Sequence, residues 1–187
     1  MRLSKVGYYG EFVVYPVLTV GLTAAALWTA PESAGRWLVA FVGGIALWTL
    51  IEYVLHRYVL HHVPYIKEMH DAHHSDQTGL IGTPIWLSLG LFVVFGFVPL
   101  WFLTDPVITA GVLGGLMLGY FCYGGAHHII HHWRVEPDSL GYRLKRRHML
   151  HHHFDENGNF GVTNSIWDIV FGTEVTVRRP TRTTEAG

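Results

Sequence analysis

Charge is scarce in this sequence of 187 residues. Lys and Arg total 13, Asp and Glu total 14, and together they make up 14% of the chain, against about 25% in an average soluble domain. The formal net charge of −1 excludes a protein drawn to nucleic acid by its overall charge. Hydrophobic residues make up 50% of the chain, which excludes a disordered polar segment. A single cysteine, Cys122, excludes an intrachain disulfide framework. The length suits one domain. No compact apolar core with a small-residue cleavage site follows Met1-Arg2-Leu3-Ser4-Lys5, so no cleaved signal peptide is expected.

The missing charge is concentrated in four stretches, about 12–28, 37–55, 85–103 and 107–123, the second carrying Glu52 near its end. Each approaches the roughly 20 residues needed to cross a bilayer core, and each is apolar all round, unlike an amphipathic surface helix. Four buried helices of a soluble protein would leave too little polar sequence to cover them. Short links at 29–36 and 104–106 pair the stretches into two hairpins. Only Arg36 lies on the hairpin side. Arg2, Lys5, Arg57, Lys67, Arg134, Arg143, Lys145, Arg146, Arg147, Arg178, Arg179 and Arg182 lie on the other, which predicts cytoplasmic termini. Gly111, Gly115 and Gly119 recur at four-residue spacing, a helix-packing pattern in membranes. Pro16 and Pro99 fall inside spans, where a kink is tolerated.

What the chain has in abundance is histidine. All 14 lie between residues 56 and 153, in four clusters on the predicted cytoplasmic side. They are His56, His61 and His62; His70, His73 and His74; His127, His128, His131 and His132; and His148, His151, His152 and His153. Each span pair is followed by one cluster at its membrane end and one HxxHH cluster beyond it, a weak internal duplication. On a helix, positions i, i+3 and i+4 share a face, so His70, His73 and His74 are expected to point together, as are His148, His151 and His152. His127/His131 and His128/His132 are competing registers of the third cluster. His56 and His61, five apart, suit a helix that ends between them.

So many imidazoles at one face repel one another when protonated, and a metal replaces the protons with neutral ligation. One structural zinc takes four ligands, so about ten imidazoles serve two metals. A surface polyhistidine tract and a pH sensor are the bland alternatives. An expression tag is excluded because the histidines are interior and interspersed. Imidazole suits zinc, copper, iron and nickel alike. Cys122 is read as a packing residue.

These blocks resemble the fatty acid hydroxylase / sterol desaturase superfamily of membrane di-metal oxygenases, over about 50–173. The carriers are Ile51-Glu52-Tyr53-Val54-Leu55-His56-Arg57, the four histidine clusters, Leu144-Lys145 ahead of His148, and the string from Phe160 to Thr173, FGVTNSIWDIVFGT. The last string and the LK..H..HH block are most similar to the fatty acid 2-hydroxylase branch. The resemblance implies metal ligation by His56, His61, His70, His73, His74, His127, His131, His148, His151 and His152. His62, His128, His132 and His153 are left unassigned.

It also implies an all-α integral membrane fold, with four transmembrane helices in two hairpins under a cytoplasmic cap, 56–80 and 124–175, that holds a di-metal site. The whole of 1–187 is expected to be one such domain. The implied cofactors are two iron ions, whose sites also accept zinc, with O2 as co-substrate. The implied reaction is hydroxylation of a fatty acid or sphingolipid acyl chain, with C2 the position that branch suggests. Such C–H chemistry needs a redox metal. Electrons would come from a separate donor of the cytochrome b5, ferredoxin or reductase type. No nucleic-acid partner is expected, and a bacterial inner membrane is the expected location. Carotenoid ring hydroxylation and sterol or lipid desaturation are rivals within the superfamily. A non-redox membrane metal-binding or transport protein is the rival from outside it. A transporter should carry ionisable residues mid-span, and Glu52 alone is read within these spans.

Other residues carry weaker signals. Glu52 precedes His56 by one turn, and a buried acid there is expected to be paired. It is read as accepting a hydrogen bond from a ligand's second ring nitrogen, with a salt bridge to Arg57 or Lys67 as the alternative. Asp168 is a weaker candidate for the same supporting role, with fixing the local fold an equal reading. Lys145, Arg146 and Arg147 read as a solvated basic face. Trp86, Phe92, Phe95, Phe97, Trp101, Phe102 and Phe121 read as lipid-facing or packing aromatics before they read as channel walls. Asn157-Gly158-Asn159 reads as a turn, and 178–187 as a disordered tail.

Overall fold

The computed structural model describes residues 2–177; the tail 178–187 lies outside them. The chain runs α1 (Lys5–Thr29), α2 (Pro31–Leu60), α3 (Ile66–Ser75), α4 (Ile85–Leu103), α5 (Pro106–His132), α6 (Leu140–His153) and α7 (Ile166–Val170). Among the described residues the only extended pairing is an isolated bridge between Arg2 and Ile81. The protein is all-α, and α1, α2, α4 and α5 are each long and apolar enough to cross a membrane.

Three of these helices outrun the apolar stretches that announce them. Hydropathy marks where the hydrocarbon-compatible segment stops, but backbone hydrogen bonding continues past that point. α2 therefore carries His56 on an unbroken helix, and α5 carries all four histidines of the third cluster. α1 starts earlier than expected and includes Glu11, so Glu52 is not the only acid within the spanning helices.

α2 ends at Leu60, between His56 and His61 as expected. Its last stretch is not a regular α-helix. It widens into a π-helical turn over Leu55–Leu60, whose i→i+5 hydrogen bonding brings residues five apart to the same side. A second π turn, Phe92–Phe97, precedes Pro99 in α4 and accommodates the hydrogen bond that proline cannot donate.

α5 is the central helix: 56% of its most apolar window is buried, against 17%, 28% and 11% for α1, α2 and α4. Its glycines explain how. A Cβ placed on Gly115 would lie 2.1 Å from the Phe41 carbonyl oxygen, and one on Gly44 of α2 would lie 2.3 Å from the Val112 carbonyl. α2 and α5 thus touch backbone to backbone, the close approach that small residues permit. At the far end, Arg36 pairs with Asp105 and ties the two hairpin loops together. Asp105 also caps α5, accepting from the N–H groups of Val107 at 2.9 Å and Ile108 at 3.1 Å.

The outer faces expose Val13, Val17, Trp28, Val39, Trp86, Phe95, Trp101, Phe102 and Leu103, a surface suited to hydrocarbon rather than water. Phe92 packs instead on Tyr15 and Tyr120, and Phe121 on Phe12. Cys122 is exposed on α5, so its expected packing role does not hold.

Gly115→Ala should cost about 1–3 kcal/mol by overpacking, read as a lower thermal midpoint in detergent. Gly43→Ala, where an added Cβ meets nothing within 4 Å, should leave the midpoint nearly unchanged.

Candidate metal centre

Ten imidazoles converge in two groups of five. His56, His61, His70, His74 and His151 form one group; His73, His127, His131, His148 and His152 form the other, and within each group one nitrogen per ring lies within 4.8 Å of all the others. These are the ten residues that the resemblance implies. His127 and His131 are the members of the third cluster that join, while His128 and His132 stack on each other away from both groups, at 4.4 Å between ring centroids. His62 is turned to the Arg57 carbonyl and His153 to Gln77.

The partition is not by cluster. From α3, His70 and His74 enter the first group and His73 the second; from α6, His148 and His152 enter the second group and His151 the first. Helix geometry explains the exchange. Positions i and i+4 are offset by about 40° around the axis, and i+3 sits about 60° to the other side of i. Each HxxHH helix therefore faces both groups, contrary to the expectation that its three histidines point together. The two halves match: each group takes two histidines from a spanning helix or the residue just past its end (His61 follows Leu60), two from its own HxxHH helix, and one from the other.

The contacts are made through Nε2. His70 Nε2 lies 3.1 Å from that of His56, 3.2 Å from His61 and 3.1 Å from His74. His148 Nε2 lies 3.0 Å from those of His131 and His152. A neutral ring nitrogen carries at most one proton, so three close nitrogen neighbours cannot all be hydrogen-bonded. The spacing fits shared ligation, since nitrogens about 2.1 Å from one ion at right angles are about 3.0 Å apart. His73 has no hydrogen-bond partner at either ring nitrogen among the described residues. These rings could hold two metal ions.

Burial keeps the rings neutral. It lowers His61 and His73 to about 4, with the neighbouring His74 adding to the effect. It lowers His151 to about 3 and pushes His70, His148 and His152 below the usual range, helped by the imidazoles around them. Neutral imidazole is the ligand form.

The rings are aimed by backbone carbonyls. His56 Nδ1–H donates to the Phe160 carbonyl at 2.6 Å, and His151 Nδ1–H to the Gly158 carbonyl at 2.8 Å, leaving each Nε2 lone pair free. Glu52 does not touch a ligand ring, so its expected direct bond is corrected. Nor does it pair with Arg57 or Lys67: Arg57 donates to the Tyr53 hydroxyl and Lys67 pairs with Asp71. Instead the loop that presents those carbonyls is held by two acids. Asp168 accepts from the N–H groups of Phe160 at 2.9 Å and Gly161 at 3.0 Å. Glu52 accepts from those of Val162 at 2.6 Å and Thr163 at 2.8 Å. Four consecutive amides are thus gripped by two carboxylates.

Arg147 is not part of a solvated basic face, because it pairs with Asp168 at 3.2 Å and Glu174 at 2.5 Å. Asn159, read only as a turn residue, is fully buried. Its side chain holds the backbone of Val175 in both directions, at 2.9 and 3.0 Å. Asn159 ends the polar run 155–159, so its local sequence carries no signal of that role.

A largely apolar cavity of about 360 Å³ ends on the histidines, with His70 of one group and His73 and His127 of the other in its wall. The rest of the wall includes Leu55, Val59, Ile66, Met69, Leu87 and Leu91. None of the seven aromatics weighed as channel residues lines it. Glu11, Tyr8, Phe12, Tyr120 and Tyr123 do, and sequence reasoning missed all five.

A family model described as fatty acid hydroxylase matches residues 41–173. Dihydroceramide fatty acyl 2-hydroxylase FAH1 of Arabidopsis thaliana is 34% identical, the match covering 74% of this chain and 62% of that protein. The ceramide very long chain fatty acid hydroxylase SCS7 of Saccharomyces cerevisiae is 35% identical over 71% of this chain and 37% of its own. Human fatty acid 2-hydroxylase is 30% identical over 71% and 38%. A solved structure, full-length scs7p with only the hydroxylase domain visible, superposes with a TM-score of 0.78 at 28% identity, covering 91% of this chain and 67% of that one. The chain spans about three fifths of the plant relative's length and under two fifths of the yeast and human ones.

Two outcomes are expected. Glu52→Ala should release the Val162 and Thr163 amides and weaken metal retention about 10–100-fold, measured by chelator competition. In metal-free protein the folded state holds fewer protons than the unfolded one, whose imidazoles titrate near 6.5. Stability should therefore be flat in pH above about 6.5, fall as pH drops from there towards 4, and level off below the folded values. Denaturant midpoints across pH test this.

Proposed function

Because the chain belongs to the fatty acid hydroxylase family, we propose that it is a membrane oxygenase that hydroxylates a lipid acyl chain, at the carbon beside the acyl carbonyl. The observation that carries the reading is the cavity ending on both histidine groups. In this reading the first group holds one iron ion and the second group another. Bound iron supplies the O2 activation and hydrogen abstraction that amino-acid side chains cannot perform. Zinc fits the same rings, so metal content in a purified sample does not decide the native ion.

The protein's own groups do the rest. Leu55, Val59, Leu87 and Leu91 enclose an extended hydrocarbon chain and exclude water around the reacting carbon. Phe160 and Gly158 hold the Nδ1 protons of His56 and His151, which sets the tautomer each ligand needs. Tyr123 stacks on His127 with rings 7° from parallel, fixing its plane beside the cavity. The relatives carry the words dihydroceramide fatty acyl 2-hydroxylase and ceramide very long chain fatty acid hydroxylase in their names, which favours an amide-linked acyl chain over a carotenoid ring or sterol. Electrons come from a separate donor. The bias of Lys and Arg to one side of the spans supports a cytoplasmic position for the histidine groups, in a bacterial inner membrane as part of the same proposal.

Lipid profiling of host cells with and without the gene, under oxygen, should show new 2-hydroxy acyl species. His73→Ala and His151→Ala, one from each group, should each lower their yield by more than about 100-fold. Altered carotenoids with unchanged acyl lipids would overturn the reading.

A further inference from the structure

Glu11 sits in the membrane-crossing helix α1 and in the wall of the largely apolar cavity. An ionisable residue at that depth is costly and ordinarily has a partner or a task. Its two oxygens are used unequally. Oε1 accepts from the Tyr120 hydroxyl at 2.8 Å and from Ser88 Oγ at 3.0 Å. Ser88 in turn accepts from the Tyr15 hydroxyl at 2.6 Å. These three helices therefore lock one oxygen in place. Oε2 accepts from no protein donor among the described residues, yet the side chain is only partly buried and borders the cavity.

The position relative to the histidines is also set. Tyr120, Tyr123 and His127 all line the cavity from α5, at i, i+3 and i+7. Glu11, bonded to Tyr120, thus borders the same cavity about two turns of α5 from His127. A lipid whose reacting carbon is at the histidines can turn its polar head to Glu11 within the same cavity. With both fixed donors on Oε1, the cavity is offered an acceptor.

We propose that Glu11 is a specificity-determining residue. Its Oε2 accepts a hydrogen bond from a hydroxyl or amide N–H of the lipid's head, a few bonds from the carbon that is oxidised. It favours a neutral, donor-bearing, amide-linked lipid and disfavours a free fatty acid, whose carboxylate it repels. The inference deepens the proposed function and rests on it for the identity of the occupant.

Equilibrium binding separates the two ideas, because it needs no turnover. Three probes compete with a fluorescent lipid for the purified, metal-loaded protein. They are a long-chain N-acyl amino alcohol, the same lipid with its hydroxyls and amide nitrogen methylated, and a long-chain fatty acid. The native protein should prefer the first over the second about tenfold or more, the worth of one hydrogen bond to a charged group, and should bind the fatty acid least. Glu11→Gln keeps a carbonyl for Tyr120 and Ser88 but places an N–H₂ where Oε2 was. It should erase or invert the preference and improve fatty acid binding, with metal content unchanged. Ser88→Ala, which alters only the Oε1 side, should retain the preference. The proposal is overturned if Glu11→Gln keeps the native ratio, if Ser88→Ala loses it as fully, or if the fatty acid binds tightest to the native protein. Absence of any hydroxylated product would sink the proposed function, while the binding ratios would still decide the role of Glu11.

Discussion

Ten uncharged imidazoles aimed at two small volumes is the constraint on which the rest of this protein depends. Lone pairs 3.0–3.2 Å apart repel one another unless a cation sits among them. The fold must therefore hold the rings against that repulsion and keep protons off them. Burial does the second. The first falls to elements that yield little: two helices that emerge intact from the membrane, two HxxHH helices between the groups, and a loop clamped at four successive amides. The glycine seam between α2 and α5 serves the same end, because backbones in contact fix the distance between the histidines those helices carry.

The acids show how sparing the chain is with charge. None of the carboxylates belongs to either five-histidine group. Glu52 and Asp168 spend their lone pairs on backbone N–H groups of 160–163, one step removed from the rings. Arg147 pairs with Asp168 and so offsets one of the clamp's two acids. An all-imidazole inner layer with amide-bound carboxylates behind it keeps the centre less negative than carboxylate ligands would.

Much of this was legible in the sequence, and what was not shares a cause. The spans announce themselves because hydropathy is local. The histidine clusters do so because their members are neighbours in the chain. The choice of His127/His131 over His128/His132 was open, because both pairs have the same spacing and only packing against α3 and α6 separates them. The crosswise split of HxxHH is hidden until two helices lie side by side. The partners of Glu52 lie 110 and 111 residues away, so a reading confined to the adjacent turn chose the wrong acceptor role. Glu11 was passed over because it sits just outside the apolar stretch, where an acid looks like ordinary punctuation rather than the wall of a cavity.

The π turn at Leu55–Leu60 has a consequence for how such a chain can change. A π turn holds one residue more than the regular helix around it, and the extra residue weakens local hydrogen bonding. Removing a residue there would give a smoother helix and swing His61 about 100° around the axis, out of its group. Stability and ligation therefore pull in opposite directions over six residues. A lineage drifting under selection for stability alone would be expected to lose the irregularity, and with it the fifth nitrogen, while leaving every hydrophobic contact of the membrane helices intact. The irregular turn is thus a marker of use: it persists only while the centre it serves is needed.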